Sequence, residues 1–273
     1  MKKEIVFART RHVYDSYTDF WKLVELSGYP TIFLDEIDPT NARVIYIACP
    51  FNGEFFPFGD LKERKSKIVL WNLERPAGSG GKEGYIGDLQ KHIESGYIDQ
   101  VVVSDAALAT TTGFTYCPIG SHRDLGEPGT LKSYAYAHLL CYSNRRSILF
   151  DTPGNPKKYI AGLPIAPNGW GEERHIALQK SWLMLNVHQD EDPILEPLRF
   201  ALATAYGLPI LSENIAAQPF PYQGAVVQFP LHGLNLALMS AFRKRHELTV
   251  EGLKSREFVT KYHTFRQCVE RYL

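Results

Sequence analysis

Short, nearly continuous apolar runs alternate with amphipathic stretches through the first third of the chain. Continuous apolar runs are typical of parallel strands that are buried on both faces, and the stretches between them predict helices. The predicted strands are residues 3–8, 31–34, 44–48, 68–73 and 101–103, and the predicted helices are residues 15–26 and 84–95. Residues 77–84 (AGSGGKEG) predict a glycine-rich turn. The pattern therefore predicts a Rossmann-like α/β domain over residues 1–115.

A second alternating block follows residues 115–129 (TYCPIGSHRDLGEPG), which are rich in proline and glycine and predict a linker. The predicted strands of this block are residues 137–141, 181–187 and 209–211, and the predicted helices start at residue 145 and span residues 172–180, 195–205, 234–244 and 250–271. A further segment lies at residues 159–165. We predict a second Rossmann-like domain over residues 116–250 that faces the first across a cleft. Residues 251–273 predict a C-terminal helix that packs back on the first domain.

Residues 185–213 carry the clearest sign of function. An apolar run ends in His188 and an acidic loop, a helical stretch follows, and a Gly-Leu-Pro turn leads to a second apolar run that closes on Ser212 and Glu213. In open α/β sheets, ligands bind at the carboxyl ends of the strands. We therefore expect a nucleotide or similar phosphorylated ligand here, with His188, Glu196, Arg199 and Glu213 as its contacts.

Two further features support a phosphate site, and each has a plainer interpretation. Residues 143–146 (Ser-Asn-Arg-Arg) follow a predicted strand and open a predicted helix, where backbone N–H groups and guanidinium groups suit a phosphate. The alternative is a pair of exposed arginines. Glu196 and Arg199 lie three residues apart and share one helical face, which points either into the cleft or to solvent as a weak ion pair.

Composition limits the class of protein. The 273 residues carry 30 basic and 30 acidic side chains and a formal net charge of zero, whereas nucleic-acid binders are usually basic. Local basic clusters nevertheless occur, each of which is otherwise a solvated face: Arg9 and Arg11; Lys62, Arg64, Lys65 and Lys67; Arg243, Lys244 and Arg245. Four scattered cysteines fit a reducing cytoplasm, and neither a signal peptide nor a membrane span is expected.

Several common catalytic motifs are missing from the sequence. The glycine-rich turn has two residues between its glycines and Glu83 after Lys82, so it is not a phosphate-binding P-loop. No G-x-G-x-x-G follows the first strand, which disfavours NAD and FAD. Close histidine pairs and a G-x-S-x-G elbow are also absent from the sequence, so neither a zinc site nor an acyl-enzyme serine is expected.

The second half of the chain resembles the donor-binding domain of GT-B nucleotide-sugar glycosyltransferases, in particular the "glycosyl transferases group 1" type. The resemblance covers residues 116–233 and rests on short elements that occur in the expected order. These elements are Tyr116-x-Pro118-x-Gly120, residues 143–146, the LNVH run ending at His188, Leu198-Arg199-Phe200, and Ala205-x-Gly207-x-Pro209.

The resemblance implies two Rossmann-like domains, a nucleotide-sugar donor held mainly by the second domain, and no obligatory metal or other cofactor. A UDP-sugar is the favoured donor. Carried over by position, Arg146, His188 and Arg199 would meet the diphosphate or the sugar, with Asn144 and Arg145 beside them. The family usually has a ribose-binding glutamate five residues before the glycine of the Gly-x-Pro element. Here that position is Leu202, so Glu213 is the candidate replacement.

The catalytic base and the acceptor are the least constrained features. Glycosyl transfer needs a base that activates the acceptor hydroxyl, and the candidates after strands of the first domain are Glu74, Asp105, His12 and Asp15, in each case alternatively a helix cap or surface charge. Small enzymes of this type are similar to phage glucosyltransferases, which makes a hydroxymethylated base in double-stranded DNA one acceptor and the host cytoplasm the location. A saccharide or small molecule is the other acceptor, and a non-catalytic nucleotide-binding module is the alternative function.

Overall fold

The structure is a computed structural model that describes residues 3–11, 17–49, 64–73, 81–139, 146, 159–160, 162–167, 169, 171–189, 191, 193 and 195–273. The chain divides into two compact units. Unit 1 comprises Met1–Tyr14, Val24–Cys117 and Tyr272–Leu273, and unit 2 comprises Asp15–Leu23 and Pro118–Arg271. The predicted domain boundaries at residues 115 and 250 stay a prediction.

Unit 1 contains a six-stranded sheet in which every neighbouring pair is parallel. Its strands are β1 (Glu4–Arg9), β2 (Thr31–Phe33), β3 (Val44–Cys49), β4 (Lys67–Asn72), β5 (Gln100–Val103) and β6 (Thr115–Tyr116). The spatial order is β2-β1-β3-β4-β5-β6. Successive residues of a strand point to opposite faces, and in the central strands both members of the pairs Val6 and Phe7, Tyr46 and Ile47, and Leu70 and Trp71 are buried. These strands are therefore covered on both faces, as their continuous apolar runs predict.

Unit 2 contains a four-stranded sheet in the order β12-β11-β10-β7, again with every pair parallel. Its strands are β7 (Tyr134–His138), β10 (Ser181–Asn186), β11 (Ile210–Glu213) and β12 (Val226–Phe229), and a small antiparallel pair consists of β8 (Tyr159–Ile160) and β9 (Leu163–Pro164). Parallel strands place their carboxyl ends at one edge, so His138, Asn186 and Glu213 end neighbouring strands at the same side of this sheet.

Eight α-helices lie in the described part of the chain. They are α1 (Thr18–Leu26), α2 (Gly81–Glu94), α3 (Ala106–Thr112), α4 (Glu172–Gln179), α5 (Pro197–Ala205), α6 (Leu234–Arg243), α7 (Arg245–Tyr262) and α8 (Phe265–Tyr272). Pro197 occupies the first turn of α5, where its missing N–H costs no hydrogen bond. The predicted helices at residues 172–180, 195–205 and 234–244 are confirmed to within two residues at each end.

Helix α7 holds the turn between α5 and β11 by a very close backbone approach. Gly207 in that turn has φ of 63°, a left-handed conformation that favours glycine. A Cβ atom on Gly252 of α7 would lie 2.3 Å from the carbonyl oxygen of Gly207. Arg256 Nε, one turn further along α7, donates to the carbonyl of Ala205 at 2.7 Å. A cation therefore caps the C-terminus of α5, where the helix dipole favours it.

The structure revises two expectations about loops. The glycine-rich turn at residues 77–84 ends early, because α2 already begins at Gly81; residues 77–80 lie outside the described part. Residues 115–129, the predicted linker, contain the division between the two units, at Cys117 and Pro118, but they are ordered and packed. They complete the first sheet with β6, form a short 3-10 helix at Arg123–Leu125, and bury Ile119 and Ser121 completely. Proline and glycine here shape a packed segment.

The predicted final helix over residues 250–271 is also wrong, because it is two helices. Backbone pairing explains the break between them. Ser121 forms a β-bridge with Thr264 and accepts a hydrogen bond from the Phe265 N–H at 2.9 Å, and the Ser121 N–H donates to His263 at 3.3 Å. These backbone groups pair with another segment, so the helix cannot continue through them. The strand expected at residues 137–141 lies three residues earlier, at Tyr134–His138, and residue 141 is outside the described part.

We expect Gly252→Ala to lower the free energy of unfolding by about 2 kcal/mol, because the added methyl group must displace backbone atoms. Gly87→Ala is the matched control, since Gly87 also lies in a helix but an added Cβ would meet nothing within 4 Å. It should leave stability unchanged or raise it by up to about 1 kcal/mol through helix propensity. Thermal unfolding of both variants checks this, and equal midpoints would contradict the close approach of α7.

Candidate functional site

A buried arginine anchors the polar cluster at the carboxyl ends of β10 and β11. Arg146 is 0% exposed. Its Nε donates to the carbonyl of Val187 at 2.9 Å, directly after β10, and its terminal NH2 group reaches Glu196 Oε1 at 3.3 Å. Glu196 immediately precedes α5. One guanidinium group therefore ties the end of β10 to the start of α5.

Glu196 also pairs with Arg199 on the first turn of α5. The two side chains approach at 2.5 Å, and Arg199 NH1 additionally donates to Asn186 Oδ1 at 3.2 Å, at the end of β10. The side chain of Arg199 is 17% exposed. Arg199 is thus the more exposed of the two arginines in the described cluster. The predicted pairing of Glu196 and Arg199 faces the strand ends rather than open solvent.

His188 and Glu213 form the other side of the cluster. The His188 backbone N–H donates to Glu213 Oε2 at 3.0 Å, and His188 Nε2 lies 2.8 Å from the carbonyl oxygen of Asn214. Asn186 Nδ2 donates to Ser212 Oγ at 3.2 Å, which links β10 to β11. The structure therefore brings together Arg146, His188, Glu196, Arg199 and Glu213, all of which the sequence singled out. Their roles toward a ligand stay a prediction.

His138, at the end of β7, is a member of this cluster that the sequence reasoning missed. Burial, followed by the charges of Arg199 and Arg146, lowers the pKa of His138 from 6.5 to about 4. The imidazole is therefore neutral at pH 7 and adds no charge to the two arginines. The sequence does carry a signal for this position, because His138 follows the apolar run of residues 134–137. The predicted strand starts three residues too late, which placed His138 inside the strand instead of at its carboxyl end.

The candidates for the catalytic base are mostly outside the described residues. Glu74, His12 and Asp15 lie outside them, as do the donor-site candidates Asn144 and Arg145. The helix expected from residue 145 also lies outside the described residues, apart from residue 146. Asp105 is described and buried. Its carboxylate accepts a hydrogen bond from the Leu108 N–H at 2.7 Å and caps α3, which is the plainer of the two roles that the sequence allowed.

Members of the basic clusters have acidic or aromatic neighbours within their own unit. Arg11 pairs with Asp35 at 2.8 Å and with Glu36 at 3.2 Å, and its guanidinium lies over the ring of Phe33. Arg64 pairs with Asp99 at 2.6 Å. Arg245 stacks on Trp182 and Phe242. The local positive charge of these clusters is thus partly compensated, as expected for solvated faces.

A second buried polar cluster in unit 2 was not foreseen. Asp19 pairs with Arg174 at 2.7 Å and with His175 Nε2 at 3.2 Å, and His175 Nδ1 lies 2.6 Å from the hydroxyl of Tyr206. Burial opposes ionisation of Asp19, but the His175 hydrogen bond and the Arg174 charge outweigh it and lower the pKa of this carboxyl. The network attaches the N-terminal half of α1 to unit 2.

Metal-binding clusters and membrane-spanning helices are both absent from the described residues. They contain no group of three or more His, Cys, Asp or Glu side chains placed to hold a metal ion. None of the described helices combines the length and the apolar character needed to cross a bilayer.

Comparison with known proteins gives a structural match. No family model matches the sequence, and no curated protein matches it. The fold is similar to the crystal structure of TarM, a glycosyltransferase of the GT-B type, with a TM-score of 0.58 and 10% sequence identity. The match covers 87% of this chain and 55% of the TarM chain, so this chain corresponds to just over half of TarM. The likeness shows the fold: a Rossmann-like α/β protein with parallel sheets.

We expect Glu196→Gln to destabilise the protein by about 2–3 kcal/mol, because the buried charge of Arg146 loses its carboxylate partner. Glu251→Gln is the matched control. Glu251 and Lys254 form a helical ion pair with the same three-residue spacing as Glu196 and Arg199, but both side chains are exposed. Such exposed pairs contribute about 0.5 kcal/mol or less. Urea unfolding of both variants measures the difference. Equally small losses would mean that the charge of Arg146 is compensated elsewhere.

The lowered pKa of His138 predicts a loss of stability in acid. In the unfolded chain this imidazole becomes protonated below about pH 6.5, whereas in the folded protein it becomes protonated only below about pH 4. The free energy of unfolding therefore falls as the pH drops through this window. By pH 5 the loss should be about 2 kcal/mol. His138→Phe, which cannot titrate, should lack this part of the pH dependence. Unfolding free energies of both proteins at pH 7 and pH 5 test it, and parallel profiles would contradict it.

Proposed function

We propose that the chain is a glycosyltransferase that moves a sugar from a nucleotide-sugar donor to an acceptor hydroxyl. The observation that carries this proposal is the charged cluster at the carboxyl ends of β10 and β11, on a fold similar to that of a GT-B glycosyltransferase. The carboxyl ends of parallel strands are the usual place of ligands in open α/β sheets. UDP-glucose is the first donor to test.

The cluster has the chemistry that a diphosphate needs. Arg199 offers a planar guanidinium with several N–H donors, which matches phosphate oxygens. It lies in the first turn of the nine-residue α5, where the helix dipole also favours an anion. Arg146 and Glu196 hold this turn against β10. On binding, the diphosphate replaces part of the contact between Arg199 and Glu196.

The proposed reaction involves the acceptor hydroxyl, the donor diphosphate and a base. The acceptor oxygen forms a bond to the anomeric carbon, the bond from that carbon to the diphosphate oxygen breaks, and the acceptor proton passes to a base. The nucleoside diphosphate leaves with the bonding electrons, and Arg199 stabilises its negative charge. Glu74, Asp105 and His12 remain the proposed bases in that order. Asp105 is the one of the three that the structure describes, and its carboxylate caps α3.

The position that usually binds ribose supports a second candidate function. Leu202 is buried within α5 and has no polar group, so it cannot bind a ribose hydroxyl. Glu213 is the proposed replacement, and one of its oxygens already accepts the His188 N–H. Without ribose contacts a nucleotide-binding module that lacks turnover becomes the alternative. Nucleotide binding without release of nucleoside diphosphate from any sugar nucleotide would favour this module.

The acceptor is the least supported part of the proposal. Double-stranded DNA with hydroxymethylated bases requires a positive surface, and the partly compensated charges of Arg11 and Arg64 favour the saccharide or small-molecule acceptor instead. Binding to duplex DNA at low salt, weakening steeply as salt is added, would restore the DNA acceptor. No binding at low salt would remove it.

We expect Arg199→Gln to lower the rate of nucleoside diphosphate release from UDP-glucose, at limiting donor concentration, by about 10- to 100-fold, because a charge-assisted contact to phosphate is lost. Lys254→Gln, which removes a cation from the exposed helical pair on α7, should leave the rate unchanged. Coupled detection of released UDP, in the presence of a panel of saccharide acceptors, measures both. A wild-type protein that neither binds nor turns over any sugar nucleotide would refute the proposal.

A further inference from the structure

His188 has a buried ring nitrogen for which the described residues provide no hydrogen-bond partner. The residue is 1% exposed, and its Nδ1 atom is buried and unpartnered. Two other polar atoms of His188 have hydrogen-bond partners. The backbone N–H binds Glu213, and Nε2 binds the carbonyl oxygen of Asn214. Buried polar atoms without a partner are rare in folded proteins, and each calls for an explanation.

The contact at Nε2 determines what kind of partner Nδ1 requires. A carbonyl oxygen can only accept, so at 2.8 Å from the Asn214 oxygen the Nε2 atom must carry the proton. In the neutral imidazole the other nitrogen is then an acceptor. A second proton on Nδ1 would place an unpaired charge in a buried position, which is costly. Nδ1 therefore presents a lone pair and needs a hydrogen-bond donor.

This requirement separates two parts of a sugar nucleotide. Diphosphate oxygens in a sugar nucleotide carry no proton at neutral pH and accept only, so they cannot satisfy Nδ1. Hydroxyl groups of the sugar or the ribose can donate. The sequence left open whether His188 meets the diphosphate or the sugar. The cation at Arg199 suits the diphosphate, and the lone pair of His188 Nδ1 suits a hydroxyl group.

We propose that His188 Nδ1 accepts a hydrogen bond from a hydroxyl group of the donor, which makes His188 a specificity-determining residue for the uncharged part of the ligand. The inference rests on the proposed function. Leaving a buried acceptor unpaired is unfavourable, and a ligand hydroxyl removes that cost while the surrounding low dielectric strengthens the bond. Because Nδ1 is covered in this structure, ligand binding includes a local displacement of the chain around it.

Two substitutions separate the roles of the two ring nitrogens. In His188→Gln the side-chain amide N–H can replace Nε2–H and keep the bond to Asn214, but the acceptor at the Nδ1 position is lost. In His188→Asn the shorter amide provides an oxygen near the Nδ1 position, but the bond to Asn214 is lost. We therefore expect His188→Gln to unfold near the wild-type temperature and bind donor weakly, whereas His188→Asn should unfold earlier and bind donor well.

Calorimetric titration with UDP-glucose, UDP and inorganic pyrophosphate identifies the hydroxyl. His188→Gln should weaken binding of UDP-glucose about 5- to 10-fold, the value of one hydrogen bond, and leave pyrophosphate binding unchanged. If UDP binding also weakens, the hydroxyl belongs to the ribose; if UDP binding is unchanged, it belongs to the sugar. Equal weakening for all three ligands, or for none, would overturn the inference.

Nitrogen NMR of ¹⁵N-histidine-labelled protein gives a readout that does not depend on a variant folding. The Nδ1 resonance of His188 should be that of an unprotonated nitrogen and should move when UDP-glucose is added. A protonated Nδ1 in the ligand-free protein, or an Nδ1 signal that stays in place while UDP-glucose binds, would overturn this inference alone. If no sugar nucleotide of a UDP, GDP and ADP panel binds the wild-type protein, the proposed function fails and this inference fails with it.

Discussion

The site in unit 2 depends on the burial of Arg146. A guanidinium group that is removed from water must be paired and hydrogen-bonded, because an uncompensated buried charge costs several kcal/mol. Glu196 and the Val187 carbonyl meet that need from two different elements, so the end of β10 and the start of α5 cannot separate without exposing the charge. The same carboxylate orients Arg199 toward Asn186. One electrostatic requirement thus fixes the geometry of the cluster.

The opposite end of α5 is fixed by packing rather than by charge. Glycine at positions 207 and 252 allows the backbone of α7 to touch the turn before β11, and Arg256 donates to the carbonyl of Ala205, the last residue of α5. The Asp19 network engages Tyr206 in the same turn through His175. A helix that is held at both ends presents its first turn in one orientation, which is the preorganisation that anion binding and transition-state stabilisation require.

The sequence allowed the parallel strands and the polar strand ends to be predicted, because both follow from local pattern: continuous apolar runs and the residues that follow them. Glu196 and Arg199 were recognisable as neighbours on one helical face, because they lie three residues apart. The buried role of Arg146 was not, since an arginine in a polar stretch is normally exposed and its partner is 50 residues away in sequence. The same limit applies to Ser121, whose backbone partners lie at residues 263–265, so the local sequence does not show that this segment is packed.

The most direct test of the donor site is a crystal structure of the protein with a bound sugar nucleotide. We expect the diphosphate beyond the carboxyl ends of β10 and β11, with its oxygens within about 3.2 Å of the Arg199 guanidinium, and a ligand hydroxyl at His188 Nδ1. A sugar nucleotide bound only at the strand ends of unit 1, or bound in unit 2 without contact to Arg199, would contradict the assignment of this cluster as the donor site.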